Sequence, residues 1–215
     1  FRDEAFADYK AQREKTPEDI KLSVPIIKQV LEAMNIPILE VKGYEADDVI
    51  GTLAPQASHF DMETYMLTPD KDYGQLVKEN VFIYRPRHGG GYEILGVEQI
   101  KEKYQIESPS QVIDILALMG DSADNFPGCP GVGEKTAIKL INDFKSINNL
   151  LENTHQLKGK LKEKVEGAVD DIKMSNFLAT IKTDVPIELQ LDVLEIQKPD
   201  EAKLREIFAE LEFKT

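Results

Sequence analysis

Acidic side chains occur in three short clusters that could hold metal ions. The clusters are Glu45-Ala46-Asp47-Asp48, Asp70-Lys71-Asp72 and Asp121-Ser122-Ala123-Asp124. Carboxylate oxygens suit Mg²⁺ or Mn²⁺ better than zinc, and carboxylates gathered without a cation would repel one another. Two such ions a few ångströms apart can activate a water and stabilise the leaving oxygen of a phosphodiester. We therefore predict metal ligands at Glu45, Asp47, Asp48, Asp70, Asp72, Asp121 and Asp124.

Each acidic cluster also has an ordinary structural interpretation. Acids in the first turn of a helix complement its dipole, which would account for the cluster at Glu45. The cluster at Asp70 could be a solvated turn, and the one at Asp121 a capping loop. The three clusters together favour the metal interpretation, because two of them are predicted to follow strands, where ligand sites of parallel sheets lie.

A glycine-rich segment follows the third acidic cluster. It reads Pro130-Gly131-Val132-Gly133-Glu134-Lys135-Thr136-Ala137, between two helical patterns. Glycines without a Cβ let backbone N–H groups approach a phosphate, and the next helix adds its positive dipole end. We predict a helix-hairpin-helix at 112–143 that binds the nucleic-acid backbone without reading sequence. The segment is neither a Rossmann fingerprint nor a P-loop, because its spacing fits neither.

The elements that would position these residues alternate between strand and helix in the first half of the chain. Such alternation predicts an α/β fold with a mostly parallel sheet, and the second half is predicted to be helical. We predict an α/β core over 1–105 and a helical subdomain over 106–215. The predicted helices of the first half are 3–14, 17–31 and 45–58, the strands are 36–41, 64–68, 81–84 and 92–95, and an amphipathic helix occupies 200–211.

Composition excludes several classes of protein. No run approaches eighteen consecutive apolar residues, and the first residues lack the apolar core of a secretory signal. The single cysteine, Cys129, excludes an internal disulfide framework; it is interpreted as packing and indicates a reducing cytoplasm. Net charge is −13, yet residues 128–164 hold seven lysines against four acids, so an overall acidic chain still offers a basic region.

Four sequence motifs, in the order in which they occur along the chain, resemble those of the 5′-nuclease domains of bacterial DNA polymerase I, in the flap-endonuclease superfamily. The motifs that carry the resemblance are Gly43-Tyr44-Glu45-Ala46-Asp47-Asp48, Thr68-Pro69-Asp70-Lys71-Asp72, Gly120-Asp121-x-x-Asp124-Asn125 and the glycine hairpin. The resemblance covers the chain from Phe1-Arg2 to Leu211-Glu212-Phe213. It implies a PIN-like fold and removal of 5′ flaps and RNA primers from duplex DNA with two divalent ions.

The resemblance also assigns roles residue by residue. Glu45, Asp47 and Asp48 would serve mainly the first metal ion and belong to the catalytic set with Lys10 and Arg13. The remaining acids would serve the second ion. Tyr9, Lys10 and Arg13 would meet the 5′ strand in an arch, and the alternative for the two basic residues is a solvated helix face. DNA contacts are expected at Tyr9, Lys10, Arg13, Gly131, Gly133, Lys135 and Thr136, with a potassium ion possible at the hairpin.

One departure from the family pattern concerns the start of the sequence. Members of the family carry a first strand with an aspartate, and a second aspartate before the residues equivalent to Phe1-Arg2. We therefore expect the chain to be a fragment of a polymerase, working in the bacterial nucleoid, with little or no nuclease activity alone. Without its first strand, the sheet would expose an edge or pair with another molecule.

Two rival functions remain open from the residues. One is a helix-hairpin-helix DNA-binding module without catalysis, whose acids serve only solubility. The other is a phosphatase of the haloacid-dehalogenase type, suggested by Asp70-x-Asp72 after a strand. That family requires an apolar strand running directly into the first aspartate and a Thr or Val two residues after the second, whereas Thr68-Pro69 and Gly74 occupy those places here.

Overall fold

The computed structural model describes residues 2–87 and 89–213 of the 215-residue chain, apart from the side chain of Asp3. The strands are β1 Thr64–Leu67, β2 Val81–Pro86 and β3 Tyr92–Leu95. The α-helices are α1 Arg2–Ala5, α2 Glu18–Ala33, α3 Ala46–Ser58, α4 Val97–Tyr104, α5 Val112–Met119, α6 Glu134–Phe144, α7 Ile147–Glu152, α8 Gly159–Gly167, α9 Val169–Ala179, α10 Leu191–Leu194 and α11 Glu201–Glu210.

The chain forms two compact units. The larger unit contains the residues up to Arg13 together with Gly43–Ile187, and the smaller contains Glu14–Lys42 together with the residues from Glu188 onward. The boundary predicted near residue 105 falls inside the larger unit. No helix in the described part of the chain is long and apolar enough to cross a membrane.

The sheet of the larger unit has the order β1-β2-β3. β1 and β2 are parallel, whereas β2 and β3 are antiparallel, so the sheet is mixed rather than mostly parallel. The connection between β2 and β3 is short and runs through Gly89–Gly91, whose glycines all have positive φ. A connection this short can join only antiparallel strands. One face of the sheet is buried through Met66, Val81 and Ile83.

Helix α3 packs against this sheet and carries the first acidic cluster at its start. Its Val49, Ala54 and Ala57 are buried. A Cβ at Gly51 would lie 2.7 Å from Cγ2 of Ile181 and 2.9 Å from the carbonyl oxygen of Lys182. The missing side chain at Gly51 thus lets α3 lie directly against the segment that follows α9.

Helix α5 is the centre of the helical part of the larger unit. It packs against α6 and α9, and its Val112, Ile115 and Leu118 have no exposed surface. The loop between α5 and α6 returns on itself at Gly120 and Gly128, both with positive φ. A Cβ at Gly128 would lie 2.2 Å from the backbone nitrogen of Gly120, so the two backbones touch where only glycine fits.

The smaller unit consists mainly of α2 and α11, which contact each other. The backbone nitrogen of Asp200 donates to the carbonyl of Ala33 at 2.7 Å, and Asp200 also caps α11 through the Lys203 nitrogen. The predicted amphipathic helix at 200–211 is confirmed.

Two predicted elements are wrong. The strand predicted at 36–41 is irregular chain; Pro37 lacks a backbone donor there and no described strand lies beside it. The helix predicted at 3–14 ends at Ala5 and continues as turns. Lys10 adopts a positive φ of 56° and donates its backbone N–H to Asp124, a contact that a continuous helix would not make.

Candidate metal and nucleic-acid site

Acids from three segments of the larger unit lie close enough to interact, and basic residues of a fourth segment lie beside them. The acidic segments are the start of α3, the turn after β1 and the loop after α5; the basic one is the set of turns after α1. The link is electrostatic as well as structural: Asp70 and Glu45 raise the pKa of Asp47, and Asp70, Asp121 and Asp124 raise that of Asp72, in each case after the larger effect of burial. The three predicted clusters are therefore brought together.

Asp48 is the most completely neutralised of these acids. Its side chain is fully buried, and both oxygens accept hydrogen bonds of 2.8 Å from Nη1 and Nη2 of Arg2. The backbone nitrogens of Lys182 and Glu45 donate to it as well. Burial alone would raise the pKa of Asp48, but the Arg2 and backbone hydrogen bonds outweigh it and hold the pKa below its ordinary value.

The same guanidinium ties three parts of the larger unit together. Arg2 also donates to the carbonyl oxygens of Leu178 and Thr180, at 3.1 and 2.8 Å. Its Nη1 lies 3.6 Å from Oε2 of Glu45. Arg2 therefore links the first residues of the chain to the start of α3 and the end of α9. Its two hydrogen bonds to Asp48 hold these segments together.

Glu45 and Asp124 are paired with the basic residues of the turns after α1. Lys10 Nζ lies 2.7 Å from Oε1 of Glu45 and 4.0 Å from Oδ2 of Asp124. Arg13 forms a salt bridge with Asp124, and the hydroxyl of Tyr9 donates to Glu45 at 3.4 Å. Tyr9, Lys10 and Arg13 thus lie beside the acids, as their predicted role requires.

The loop after α5 presents Asp121 and Asp124. Asp121 and Phe126 exchange backbone hydrogen bonds of 3.1 and 3.0 Å, which close the loop. Oδ1 of Asp121 accepts from the backbone nitrogens of Ala123 and Asp124. Burial would raise the pKa of Asp121, but the hydrogen bond from Lys71 and the backbone donors bring it below its ordinary value.

Asp72 contrasts with these paired acids. Its Oδ1 is buried and accepts no hydrogen bond within the described part of the chain, and Lys71 Nζ lies 3.9 Å from it. Burial, with help from Asp70, Asp121 and Asp124 and against the effect of Lys71, raises the pKa of Asp72 to about 7. A buried carboxylate oxygen without a donor is a position that a cation would stabilise.

Asp47 and Asp70 complete the acidic neighbourhood. The hydroxyl of Tyr73 donates to Asp47 at 2.7 Å. Burial raises the pKa of Asp47, and the Tyr73 hydrogen bond only partly offsets this. Oδ1 of Asp70 accepts from the backbone nitrogen of Asp72 at 3.0 Å, which shapes the turn that follows β1. This placement after a strand confirms the expected position of the second cluster.

The donor chemistry of the neighbourhood fits a hard divalent cation, since every ligand candidate is a carboxylate. Among the described residues, no three His, Cys, Asp or Glu side chains are arranged as a group that could hold an ion. Ammonium and guanidinium groups lie between the acids instead. The buried Asp72 oxygen that accepts no hydrogen bond from a described residue is a suitable cation ligand. Asp48 is not, because Arg2 donates hydrogen bonds to both of its oxygens.

The glycine hairpin lies between α5 and α6. Gly131 has a φ of 73° and its carbonyl oxygen lies 3.5 Å from Lys164 Nζ, while Gly133 precedes α6 with an open space where a Cβ would be. Lys135 is exposed in the first turn of α6, and Thr136 is half-buried. A surface pocket of about 470 Å³ beside them is lined by Gln105, Lys135, Ile138, Lys139 and Asn142. Cys129 is buried, as expected of a packing residue.

Sequence reasoning missed Arg2, Lys71 and Tyr73. An arginine near the start of the sequence carries no periodic signal, and its partner Asp48 lies 46 positions away. Lys71 lies between the two acids of Asp70-x-Asp72, and this position between acids is a signal that could have identified it. Tyr73 looked like an ordinary core residue.

The fold is that of the 5′-exonucleases and flap endonucleases. The phage T5 D15 protein co-crystallised with metal ions superposes with a TM-score of 0.72 at 20% identity, covering 97% of this chain and 80% of that chain. The catalytic core of Rad2 in complex with DNA substrate gives a TM-score of 0.60 at 15% identity, covering 99% of this chain and 71% of that chain.

Sequence comparison gives the family itself. The model described as the 5′-3′ exonuclease N-terminal resolvase-like domain matches residues 1–105, and that of the C-terminal SAM fold matches residues 107–202. The 5′-3′ exonuclease of Aquifex aeolicus is 40% identical over 214 residues, which are 100% of this chain and 72% of that protein. DNA polymerase I of Bacillus subtilis is 44% identical over 217 residues, 100% of this chain and 24% of that protein. The chain belongs to the 5′-3′ exonuclease family, and it spans about a quarter of the DNA polymerase I relatives.

Proposed function

We propose that the chain is the 5′-3′ exonuclease and 5′-flap endonuclease domain of a bacterial DNA polymerase I, acting on chromosomal DNA in the nucleoid. Its substrates would be duplexes with a 5′ flap or a nicked primer end, hydrolysed at a phosphodiester. The observation that carries the proposal is the convergence of acids from separate segments around the buried Asp72 oxygen, which accepts no hydrogen bond from any described residue. The family assignment supports the same reaction and gives no support to the phosphatase alternative.

The proposed site divides its acids into ligands and a support. Glu45, Asp47, Asp70, Asp72, Asp121 and Asp124 would hold Mg²⁺ or Mn²⁺, which supplies an activated water and charge stabilisation when bound. Asp48 would position Glu45, because it accepts the Glu45 backbone N–H while Arg2 occupies its oxygens. This assignment changes the predicted role of Asp48 from ligand to positioning residue.

The basic residues beside the acids would hold the 5′ strand. Lys10 and Arg13 are paired with Glu45 and Asp124 in the structure, and a DNA phosphate offers the same kind of acceptor. The Lys10 ammonium also lies 4.7 Å from the centre of the Tyr9 ring. Tyr9, Lys10 and Arg13 would therefore exchange carboxylate partners for a phosphate when substrate enters.

The hairpin would grip the duplex away from the reacting phosphate. Gly133 has open space where a Cβ would be, the Lys164 ammonium lies beside Gly131, and exposed Lys135 supplies positive charge at the start of α6. Thr136 lies in the same turn. Main-chain carbonyls of the hairpin, such as that of Gly131, would be the ligands of a potassium ion if one binds between hairpin and phosphate.

Flap cleavage by the complete polypeptide that carries this chain tests the proposal. Asp70→Asn should lower the Mg²⁺-dependent cleavage rate by more than about 100-fold, since it removes a ligand while keeping the turn. Asp61→Asn, an exposed acid outside the site, is the matched control and should cleave normally. Full activity of Asp70→Asn would contradict the proposal. The chain alone, assayed beside the complete polypeptide, tests the expectation that it has little activity by itself.

A DNA-binding module without catalysis is the second candidate, favoured by the hairpin alone. Titration with Mn²⁺ separates the two functions, because a binding module should show no site that depends on Asp121. In either case Lys135→Ala should weaken duplex binding and reduce its dependence on salt, as expected for a phosphate contact.

A further inference from the structure

Lys71 lies where a cation would be expected. Its ammonium group donates to Oδ2 of Asp121 and is 3.9 Å from Oδ1 of Asp72. These two acids come from different segments, 49 positions apart in the sequence. One ammonium therefore bridges the turn after β1 and the loop after α5.

The two acids need a positive charge to lie together. Their side chains are only 17% and 13% exposed, so water screens their repulsion poorly. Lys71 itself is 40% exposed, and its four-carbon stem can carry the ammonium out to solvent without moving the backbone. The bridging group is thus more exposed to solvent than the acids it bridges.

The same arrangement occurs a second time in the site. Lys10 Nζ lies between Glu45 and Asp124, at 2.7 and 4.0 Å. Each lysine joins two carboxylates that belong to separate segments. The repetition indicates that ammonium groups keep the acids assembled, rather than that one surface lysine has found a chance partner.

We propose that Lys71 is an internal counter-ion of the metal-free protein, which holds Asp72 and Asp121 together and competes with a divalent ion for them. This rests on the proposed function only for the identity of the ion as Mg²⁺ or Mn²⁺. Lys71 would then be a positioning residue that keeps the site folded between metal-binding events. It would also set the metal affinity lower than the carboxylates alone would give.

The first test compares Lys71→Met with the wild type, using Lys101→Met as the control. Lys101 is 33% exposed and pairs with Glu98 away from the site, so it matches the change in charge and shape. In EDTA, Lys71→Met should melt about 2–4 °C lower than Lys101→Met, because the acids lose their counter-ion. Mn²⁺ binding by calorimetry should be tighter in Lys71→Met by about threefold, since the competitor is gone.

A second test needs no substitution. Acetylation of wild-type lysines, read by mass spectrometry, reports how available each ammonium is. Mn²⁺ should increase labelling of Lys71 relative to EDTA, because the ion releases it, and should leave Lys101 unchanged. Unchanged or reduced labelling of Lys71 in saturating Mn²⁺ would overturn the proposal.

The outcomes separate this inference from the proposed function. If Lys71→Met binds Mn²⁺ no tighter than wild type while flap cleavage by the wild type is normal, the competition is refuted and the nuclease assignment stands. If the complete wild-type polypeptide neither binds Mn²⁺ nor cleaves flaps, both fail. An unchanged melting temperature of Lys71→Met in EDTA removes the counter-ion role.

Discussion

The Asp48 pocket and the Asp72–Asp121 edge solve the same problem in different ways. Both place carboxylates in a poorly hydrated part of the larger unit. At Asp48 the chain supplies a buried guanidinium with fixed, paired hydrogen bonds. At Asp72 and Asp121 it supplies one half-exposed ammonium, and among the residues that the structure describes none donates a hydrogen bond to the buried Oδ1 of Asp72.

This difference in partners distinguishes acids that stabilise the fold from acids that can bind a cation. A carboxylate saturated from within the chain is held below its ordinary pKa and stabilises the folded state at neutral pH. A carboxylate left under-compensated destabilises it until a cation arrives. Asp48 and Asp72 belong to clusters that look alike in the sequence, so only their partners distinguish them.

The largest effect is expected from Asp48→Asn. The substitution removes the carboxylate that both Nη atoms of the buried Arg2 guanidinium contact, leaving Glu45 at 3.6 Å, and should lower the free energy of unfolding by roughly 3–5 kcal/mol. Urea denaturation measures this. Asp184→Asn, which changes an exposed acid paired with Lys182, should stay within about 0.5 kcal/mol of wild type. Equal effects of the two substitutions would show that the Arg2–Asp48 pair does not stabilise the fold.

Asp72→Asn should act in the opposite direction. The folded-state pKa of about 7 lies above the ordinary value of 3.8, so the ionised carboxylate costs stability above pH 7, and the cost fades as pH falls towards 4. In EDTA near pH 8, Asp72→Asn should gain about 2 kcal/mol by urea denaturation, and the gain should vanish near pH 4. Saturating Mg²⁺ should stabilise wild type but not the variant. A destabilised variant at pH 8 would contradict this account of Asp72.

Asp114→Asn should show the smallest effect and no metal dependence. Asp114 lies on α5, where Asn176 and the backbone of Ile147 donate to it, and burial raises its pKa to about 6. The sign is the same as for Asp72, so the variant should gain about 1 kcal/mol near pH 8 and nothing near pH 4. Asp143→Asn, an exposed acid on α6, is the control, and a gain that responds to Mg²⁺ would show that Asp114 is coupled to the metal site.

Local patterns predicted most of the fold. The periodicity of α3 and the alternation of the strands are properties of consecutive residues, so their positions could be read directly. The helix at 3–14 and the strand at 36–41 failed for the opposite reason. The hydrogen bond from Lys10 to Asp124 sets the path of the first segment. These two residues are too far apart in the sequence for the pattern of residues 3–14 to reveal their contact.

The acids of the candidate site were predictable, as were Lys10 and Arg13 through the family resemblance, but Arg2 and Lys71 were not. Carboxylates in short clusters stand out by composition, and the structure brings them together. Arg2 and Lys71 act through partners 46 and 50 positions away, a distance that a single sequence does not reveal. The distinction between Asp48 and Asp72 therefore required three-dimensional contacts.

The backbone contact at Gly120 and Gly128 has a mechanical consequence. Gly120 begins the loop that ends at Phe126 and carries Asp121, and Gly128 leads into the hairpin, with its N–H anchored 2.8 Å from Oγ of Ser175. With no side chain to act as a spacer at either glycine, the two loops are in direct backbone contact. A displacement of the hairpin would therefore be transmitted to the loop that carries the acids, and a substitution at either glycine would alter both loops at once.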